Sequence, residues 1–219
     1  NGELGTEKGL GVSSQELGLA AKNAKCAKDW LIVRLGEIAA INGGFAFKSA
    51  NYTSNGVRVI RISDFNESGF VNNKIVRHPY DDALKPYILE LKDILLCMTG
   101  GTVGKCLFVT QMEEVMVVNQ RVATIKVKND MPKYVYWVLS SSITQRVVQY
   151  SKNSLNDNIS LDTIKGFLIP LPPIEVQKEI VAKLDAAKER CEKLKAEAER
   201  GLRAAENLRK AILSEAFEL

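Results

Sequence analysis

Apolar and polar residues follow two different periods along this chain, and the switch between them divides it. Gly56-Val57-Arg58-Val59-Ile60-Arg61-Ile62 alternates with period 2, which predicts a half-buried strand. Asp93–Met98 is a short apolar run ending in Thr99-Gly100-Gly101, and Lys105–Val109 and Arg121–Val127 are two more strand candidates. Earlier in the chain, Trp30–Leu35 leads into Gly36–Ile41 and then a turn at Asn42-Gly43-Gly44. Lys133–Ser142 and Thr144–Ser151 read as short helices, and Gly and Asn turns punctuate the whole stretch. Residues 29–172 thus predict an α+β fold class: a mixed, mainly β domain with a curved sheet whose loops are long enough to carry function.

The period lengthens after Pro170-Leu171-Pro172-Pro173. A residue that precedes proline is pushed out of the helical region, so this stretch reads as a rigid extended hinge that ends the domain. A long helix is predicted over 173–219, from about Glu175 to about Phe217, with no proline and one glycine, Gly201. Ile180, Leu184, Ala187, Cys191, Leu194, Ala198, Gly201, Ala205, Leu208 and Ile212 recur at alternating spacings of four and three, the signature of a coiled-coil seam. The intervening Lys178, Glu179, Lys183, Asp185, Lys188, Glu189, Arg190, Glu192 and Lys193 read as a solvated face. Half of the seam is small, which lets two helix backbones approach closely. At 1.5 Å per residue the helix extends roughly 60 Å, and a lone helix cannot bury such a stripe. Its cover is expected from a second copy or from a missing half of the same polypeptide; the other reading folds the helix back on its own domain. Residues 1–28, rich in Gly, Ser, Ala and Lys, read as a linker or flexible arm with a short helix near Gln15–Ala24.

Composition narrows the classes. A chain of 219 residues has room for one sizeable domain and an appendage. It begins at Asn1 without Met and is read as trimmed or partial. No apolar run reaches the ~18–20 residues of a membrane span, and no secretory signal precedes the domain, so a cytoplasmic location is expected. The net charge of +4 permits nucleic-acid binding without demonstrating it. Residues 29–172 hold 16 Lys/Arg against 13 Asp/Glu, and 173–219 hold 10 against 10, so the surplus lies mainly in the domain. That surplus cannot hold a duplex tightly without a clustered patch or a second copy of the domain. Cys26, Cys97, Cys106 and Cys191 form no CxxC pair, and His78 is the one histidine. A zinc or other metal site is therefore not expected, and the thiols read as reduced and buried.

Gly100-Gly101-Thr102-Val103-Gly104-Lys105 invites a phosphate-loop reading but fails it on spacing. Thr99 stands where the first glycine belongs, Cys106 stands where Ser or Thr belongs, and a strand follows where a helix is needed. Two readings stay open: a plain hairpin, or a glycine turn that presents Thr99, Thr102 and Lys105 outward toward a DNA backbone. The one histidine, His78, precedes Pro79 and reads as a surface turn residue, and no catalytic residue is expected. Polar loops are more telling. Lys48, Ser49, Asn51 and Tyr52, then Arg61, Ser63 and Asp64, then Thr99, Gly101, Thr102 and Lys105, then Asn119, Gln120 and Arg121, then Lys152, Asn153 and Asn156 offer the side chains that pair with base edges and phosphates.

The order of these segments carries a resemblance. Trp30, Leu35-Gly36-Glu37-Ile38, Gly43–Tyr52, Val59–Asp64, Lys92–Leu95, Thr99–Lys105 and Asn119–Arg121 together resemble the target-recognition domain of specificity subunits of type I restriction–modification systems. Ile169–Val181 is similar to the junction into that family's long helix, with Val176 in place of the usual acid before Gln177, and Leu208–Phe217 is similar to the helix end. The resemblance implies a non-catalytic module that reads one half of a split double-stranded DNA target, mainly through the major groove. It implies paired helices that act as a ruler and dock methyltransferase subunits, with a restriction subunit in the full complex. S-adenosylmethionine and ATP are then expected only in partner subunits, with no cofactor in this chain. One domain and one helix mean either a half-subunit that forms a homodimer through the helix, with a palindromic split target, or a fragment of a longer reader. The alternative is a coiled-coil protein-interaction adaptor without DNA binding.

Overall fold

The computed structural model describes residues 30–128, 130–151 and 158–217. The expected helix near Gln15–Ala24, Cys26, and the candidates Lys152, Asn153 and Asn156 lie outside the described residues. The described chain separates into two units, one ending at Gln177 and one from Lys178 onward.

The first unit is mixed and mainly strand. β1 (Leu31–Arg34) enters a single helical turn, α1 (Leu35–Ile38), which buries Leu35 and leads into β2 (Ala39–Gly43). Asn42 and Gly43 therefore belong to a strand and not to the expected turn; they pair with Thr124 and Ala123. Two sheets form the body. One has the order β2, β10 (Val122–Val127), β7 (Ile94–Cys97), β8 (Cys106–Phe108), all antiparallel. The other sets β3 (Val57–Ile60) between β6 (Arg77–His78) and β9 (Met116–Val118), with β3 and β9 parallel. A short hairpin, β4 (Phe65–Asn66) and β5 (Gly69–Phe70), follows β3.

β3 departs from its alternating pattern: Arg58, Val59 and Ile60 are all buried. Val59 packs with Leu84 and Val117 in one apolar cluster, and Ile60 packs with Phe65, Leu95, Leu107 and Val118 in another, so both faces of the strand are covered. Arg58 tolerates this because its guanidinium donates to the Val71 carbonyl at 3.0 Å, lies 3.9 Å from Glu114 and sits over the Phe70 ring. Buried charge survives where donors find acceptors.

The helical prediction after β10 holds closely. α2 (Pro132–Ser140) starts with proline at its first turn, where no amide hydrogen is needed. α3 (Ser142–Tyr150) is capped by the Ser141 hydroxyl, which accepts from the Thr144 amide. A further short helix, α4 (Leu161–Lys165), precedes β11 (Leu168–Leu171). β11 corrects the hinge reading, because Pro170 and Leu171 lie in a strand paired with β1. A two-stranded ladder tolerates a residue without an amide hydrogen, and the Pro170 carbonyl is used instead, accepting from the Tyr134 hydroxyl at 2.6 Å.

The last helix, α5, spans Ile174–Phe217. Its first turn belongs to the domain: Gln177 is buried and donates to the Pro172 carbonyl at 2.8 Å. Beyond Ile180, which is half-buried, every seam residue from Leu184 to Ile212 is exposed in this chain. Leu194, Leu208 and Ile212 show 65%, 63% and 55% of their surface, far beyond what a solvated helix face needs. Leu202, Leu213 and Phe217 are exposed too and lie outside the seam that the heptads define. Cys191 is exposed on this helix, against the expectation of buried thiols; Cys97 and Cys106 are buried.

Candidate nucleic-acid interface

Strand register gathers the polar loops at one end of the two sheets. Cys97, the last residue of β7, pairs with Val122, the first of β10; Gly43, the last of β2, pairs with Ala123; Leu96 pairs with Cys106, the first of β8. Ile60 and Val118, the last residues of β3 and β9, pair in parallel. The loops that follow β2, β3, β7 and β9 therefore leave from a single rim. Backbone hydrogen bonds stitch them: Asn119 N–H donates to Ile60 at 2.9 Å, Gln120 N–H to Phe45 at 2.9 Å, and Met98 N–H to Arg121 at 3.0 Å. The rim also takes in Asn158, which bridges Thr99, and Ile159, whose amide donates to Met98 at 2.9 Å.

Two glycines make this stitching possible. A Cβ on Gly44 would lie 2.2 Å from the Val118 carbonyl oxygen and 2.3 Å from that of Asn119, so only glycine lets β2 reach the end of β9. Gly104 has φ +88°, and a Cβ there would meet Gln145 Oε1 at 2.6 Å. The Gln145 amide donates to the Gly104 carbonyl at 2.8 Å, which ties α3 to the glycine loop across 41 positions of sequence.

The loop candidates fall into distinct chemical states. Arg61 and Asp64 face each other: Asp64 accepts from Arg61 Nε at 2.7 Å, from Nη2 at 2.8 Å, from the Arg61 amide at 3.0 Å and from the Ser63 hydroxyl at 2.9 Å. Asp64 is buried, so it organises the loop and does not stand open to a ligand. The hydrogen bond from Arg61 to Asp64 is the main cause that raises the guanidinium's pKa, with burial opposing it and Tyr52 adding to it. The glycine loop corrects the outward reading at two positions. Lys105 turns back, its ammonium donating to the Ile62 carbonyl and lying 4.8 Å above the Phe65 ring, and the Thr99 hydroxyl is buried. Gly101 and Thr102 are exposed, in a 3-10 turn over Gly100–Thr102 that strand β8 follows after Lys105. Asn119 is half-buried, its side chain accepting from the Arg121 amide at 3.2 Å, while Gln120 and the Arg121 side chain are exposed.

Lys48, Ser49 and Asn51 are exposed and Tyr52 is half-buried. Their segment leaves the rim at Phe45, then returns to Thr53, which pairs with Arg77 in β6. A chain of ring contacts, Phe45 to Phe47 at 4.9 Å and Phe47 to Tyr52 at 6.5 Å, pins it down. The rim therefore unites the Arg61, Thr99 and Asn119 loops, and the Lys48 segment joins them only at its start. Sequence reasoning passed over Gln145 and Lys74. Gln145 lies on a helix and Lys74 enters through its backbone carbonyl, so neither carries a loop-like signal. Among the described residues no group of three His, Cys, Asp or Glu is placed to hold a metal ion.

Comparison with known proteins bears on this arrangement. A family model for the type I restriction modification DNA specificity domain matches residues 27–200. The EcoBI specificity subunit of Escherichia coli is 28% identical over 194 residues, covering 85% of this chain and 38% of that protein. The EcoAI specificity subunit of Escherichia coli is 28% identical over 208 residues, covering 89% and 33%. The chain thus spans between a third and two-fifths of the length of these relatives. Among solved structures, a chain from a study of assembly and conformational transition of the type I R-M system superposes with TM-score 0.68 at 20% identity, covering 93% of this chain and 52% of that one. The HsdS subunit of Thermoanaerobacter tengcongensis superposes with TM-score 0.58 at 19% identity, covering 80% and 44%. At such identities the structures establish a shared fold, and the family match spans the rim and the first part of α5. The chain belongs to the type I restriction modification DNA specificity domain family.

Proposed function

We propose that this chain recognises one half of a bipartite DNA target for a type I restriction–modification complex in a prokaryotic cytoplasm, and performs no chemistry itself. The observation that carries the proposal is the convergence of the Arg61, Thr99 and Asn119 loops on one rim, in a domain of this family. Phosphate contacts there fix register, and exposed amide and guanidinium groups at Gln120 and Arg121 reach base edges. The exposed apolar seam of α5 supports pairing with an equivalent helix, in a homodimer or with the rest of a longer subunit. Such a pair sets the spacing of two half-sites and offers a docking face for methyltransferase subunits, with a restriction subunit joining the full complex. S-adenosylmethionine and ATP then act in those partners.

The test starts from cells that express the chain with its methyltransferase subunits. Sequencing of their methylated DNA gives the target, and light scattering of the purified chain gives its assembly state. Fluorescence anisotropy then follows target and scrambled duplexes between 50 and 200 mM salt. Two rims with two or three phosphate contacts apiece lose roughly 10²–10³ in affinity over that range, at a slope of about 0.9 per contact. Binding that ignores both sequence and salt sinks the proposal and favours a protein-interaction adaptor.

A further inference from the structure

Arg61 is a half-buried cation whose fork is already occupied. Nε and Nη2 both donate to Asp64, at 2.7 and 2.8 Å, and Nη2 donates again to the Lys74 carbonyl at 2.8 Å. Five N–H groups belong to a guanidinium, so the two hydrogens of Nη1 remain for a ligand. Arginine's planar fork reads guanine O6 and N7 with donors from two of its nitrogens. Nη1 alone offers one, which suits a single anionic oxygen.

The carboxylate that holds this geometry is itself over-determined. Asp64 is 6% exposed, its amide closes the turn onto the Arg61 carbonyl at 3.0 Å, and the Ser63 hydroxyl donates to it. Lys105 clasps the same turn by donating to the Ile62 carbonyl, and the end of β9 holds Ile60. A side chain with so little freedom left loses little entropy when it binds.

We infer that Arg61 is a phosphate-anchoring residue of the DNA interface and that Asp64 is its positioning residue, so that this pair fixes register while sequence is read elsewhere on the rim. The inference rests on the proposed DNA-recognition function. In that division of labour Arg121, exposed and unforked, belongs to the reading side.

The experiment compares the full chain with Arg61→Gln, Asp64→Asn and the double variant, titrating target and scrambled duplexes by anisotropy over a salt series. Arg61→Gln keeps a donor for Asp64. It is expected to weaken both duplexes equally, by about tenfold at low salt, and to reduce the slope of log affinity against log salt by about 0.9. Asp64→Asn is expected to weaken binding although it removes a negative charge, and to add nothing in the Arg61→Gln background. A purely structural carboxylate would give the opposite in both respects: affinity for both duplexes would rise, or its effect would persist in the double variant. Should Asp64→Asn fail to fold, Ser63→Ala removes one donor from the same carboxylate and is read in the same cycle. A change in the target-to-scrambled ratio with an unchanged slope would make Arg61 a base reader and overturn the assignment, as would unchanged affinity for both. Failure of the underlying function looks different: the unaltered chain would then show no salt-dependent binding to either duplex.

Discussion

Replacing Gly44 by Ala tests how the rim is built. The position has ordinary φ, so the constraint is space and not backbone conformation. The added carbon would sit 2.2 Å from the Val118 oxygen, 2.3 Å from the Asn119 oxygen and 2.4 Å from the Asn119 carbonyl carbon. All three are backbone atoms of the β9 end, and none can rotate away. Relief requires the two segments to part by about 0.8 Å to restore a 3.0 Å contact. Three hydrogen bonds cross this seam: Gly44 N–H to Val122 at 3.2 Å, Phe45 N–H to Val118 at 2.7 Å, and Gln120 N–H to Phe45 at 2.9 Å. A displacement of that size takes at least two of them out of range. At about 0.5–1.5 kcal/mol each the loss is about 1–3 kcal/mol, which lowers the melting temperature of a domain this size by roughly 2–12 °C. Urea denaturation with an unchanged slope is the assay, followed by duplex titration of the still-folded variant at 25 °C. Target binding should fall more than stability alone explains, because the Asn119–Arg121 loop loses its anchor. Stability equal to the unaltered chain would refute the close approach and with it the account of how the rim is held.

Two further predictions concern the opposite end of the sheet. Lys92 is the one described non-glycine residue with positive φ, at +71°, and its amide donates to Val109 at 2.8 Å. Glycine keeps that donor and removes the left-handed penalty of about 1–2 kcal/mol against its own entropy cost of about 0.5–1, so Lys92→Gly should raise the urea midpoint by the equivalent of about 0.5–1 kcal/mol. Asp93 is buried, and desolvation lifts its pKa to about 6, opposed by the Glu90 amide and Lys126. The folded state therefore holds a proton that the unfolded state has released, so this group costs stability as pH rises from about 4 to about 6 and its cost is constant above. Asp93→Asn should thus match the unaltered chain at pH 4 and exceed it above pH 6, by at most about 3 kcal/mol at 1.36 kcal/mol per unit. A stability gap that does not change with pH would contradict this.

The parts of the fold that were legible in the sequence are those whose signal is local. The apolar runs at Ile94–Cys97 and Val122–Val127, the two helices after β10 and the long helix announce themselves within a few residues. β9 and β6 do not. Met116-Val117-Val118 is too short to show a period and becomes a strand only by lying parallel to β3, and Arg77-His78 pairs because Val57 and Arg58 are beside it. Pro170 reads as a breaker until β1 supplies a partner. The candidate loops were legible as polar and glycine-rich, but not the fate of each side chain. Asp64 and Lys105 look like ligand-facing residues in any listing of polar loop positions; packing turned one into a buried acceptor and the other into an internal clasp. The Thr99 hydroxyl is buried as well, on a residue whose backbone bridges Asn158.

That fate matters for how one domain can hold DNA. Among the described rim cations, Lys105 is directed inward and Arg61 retains a single free nitrogen, which leaves Arg121 and, at the margin, Lys48 as open charges. Each phosphate contact contributes about 0.9 to the salt slope, so a rim with two or three of them binds weakly and changes little between sequences that differ away from its reach. Coupling two such rims through a stiff connector multiplies rather than adds their affinities, provided that both half-sites are met at once. Under the proposed function that connector would be α5, a 44-residue helix whose seam residues from Leu184 to Ile212 are exposed. The sparse open charge on the rim and the exposed apolar seam of the helix both fit the proposed function, in which the spacing between two half-sites would carry specificity that a single rim could not supply.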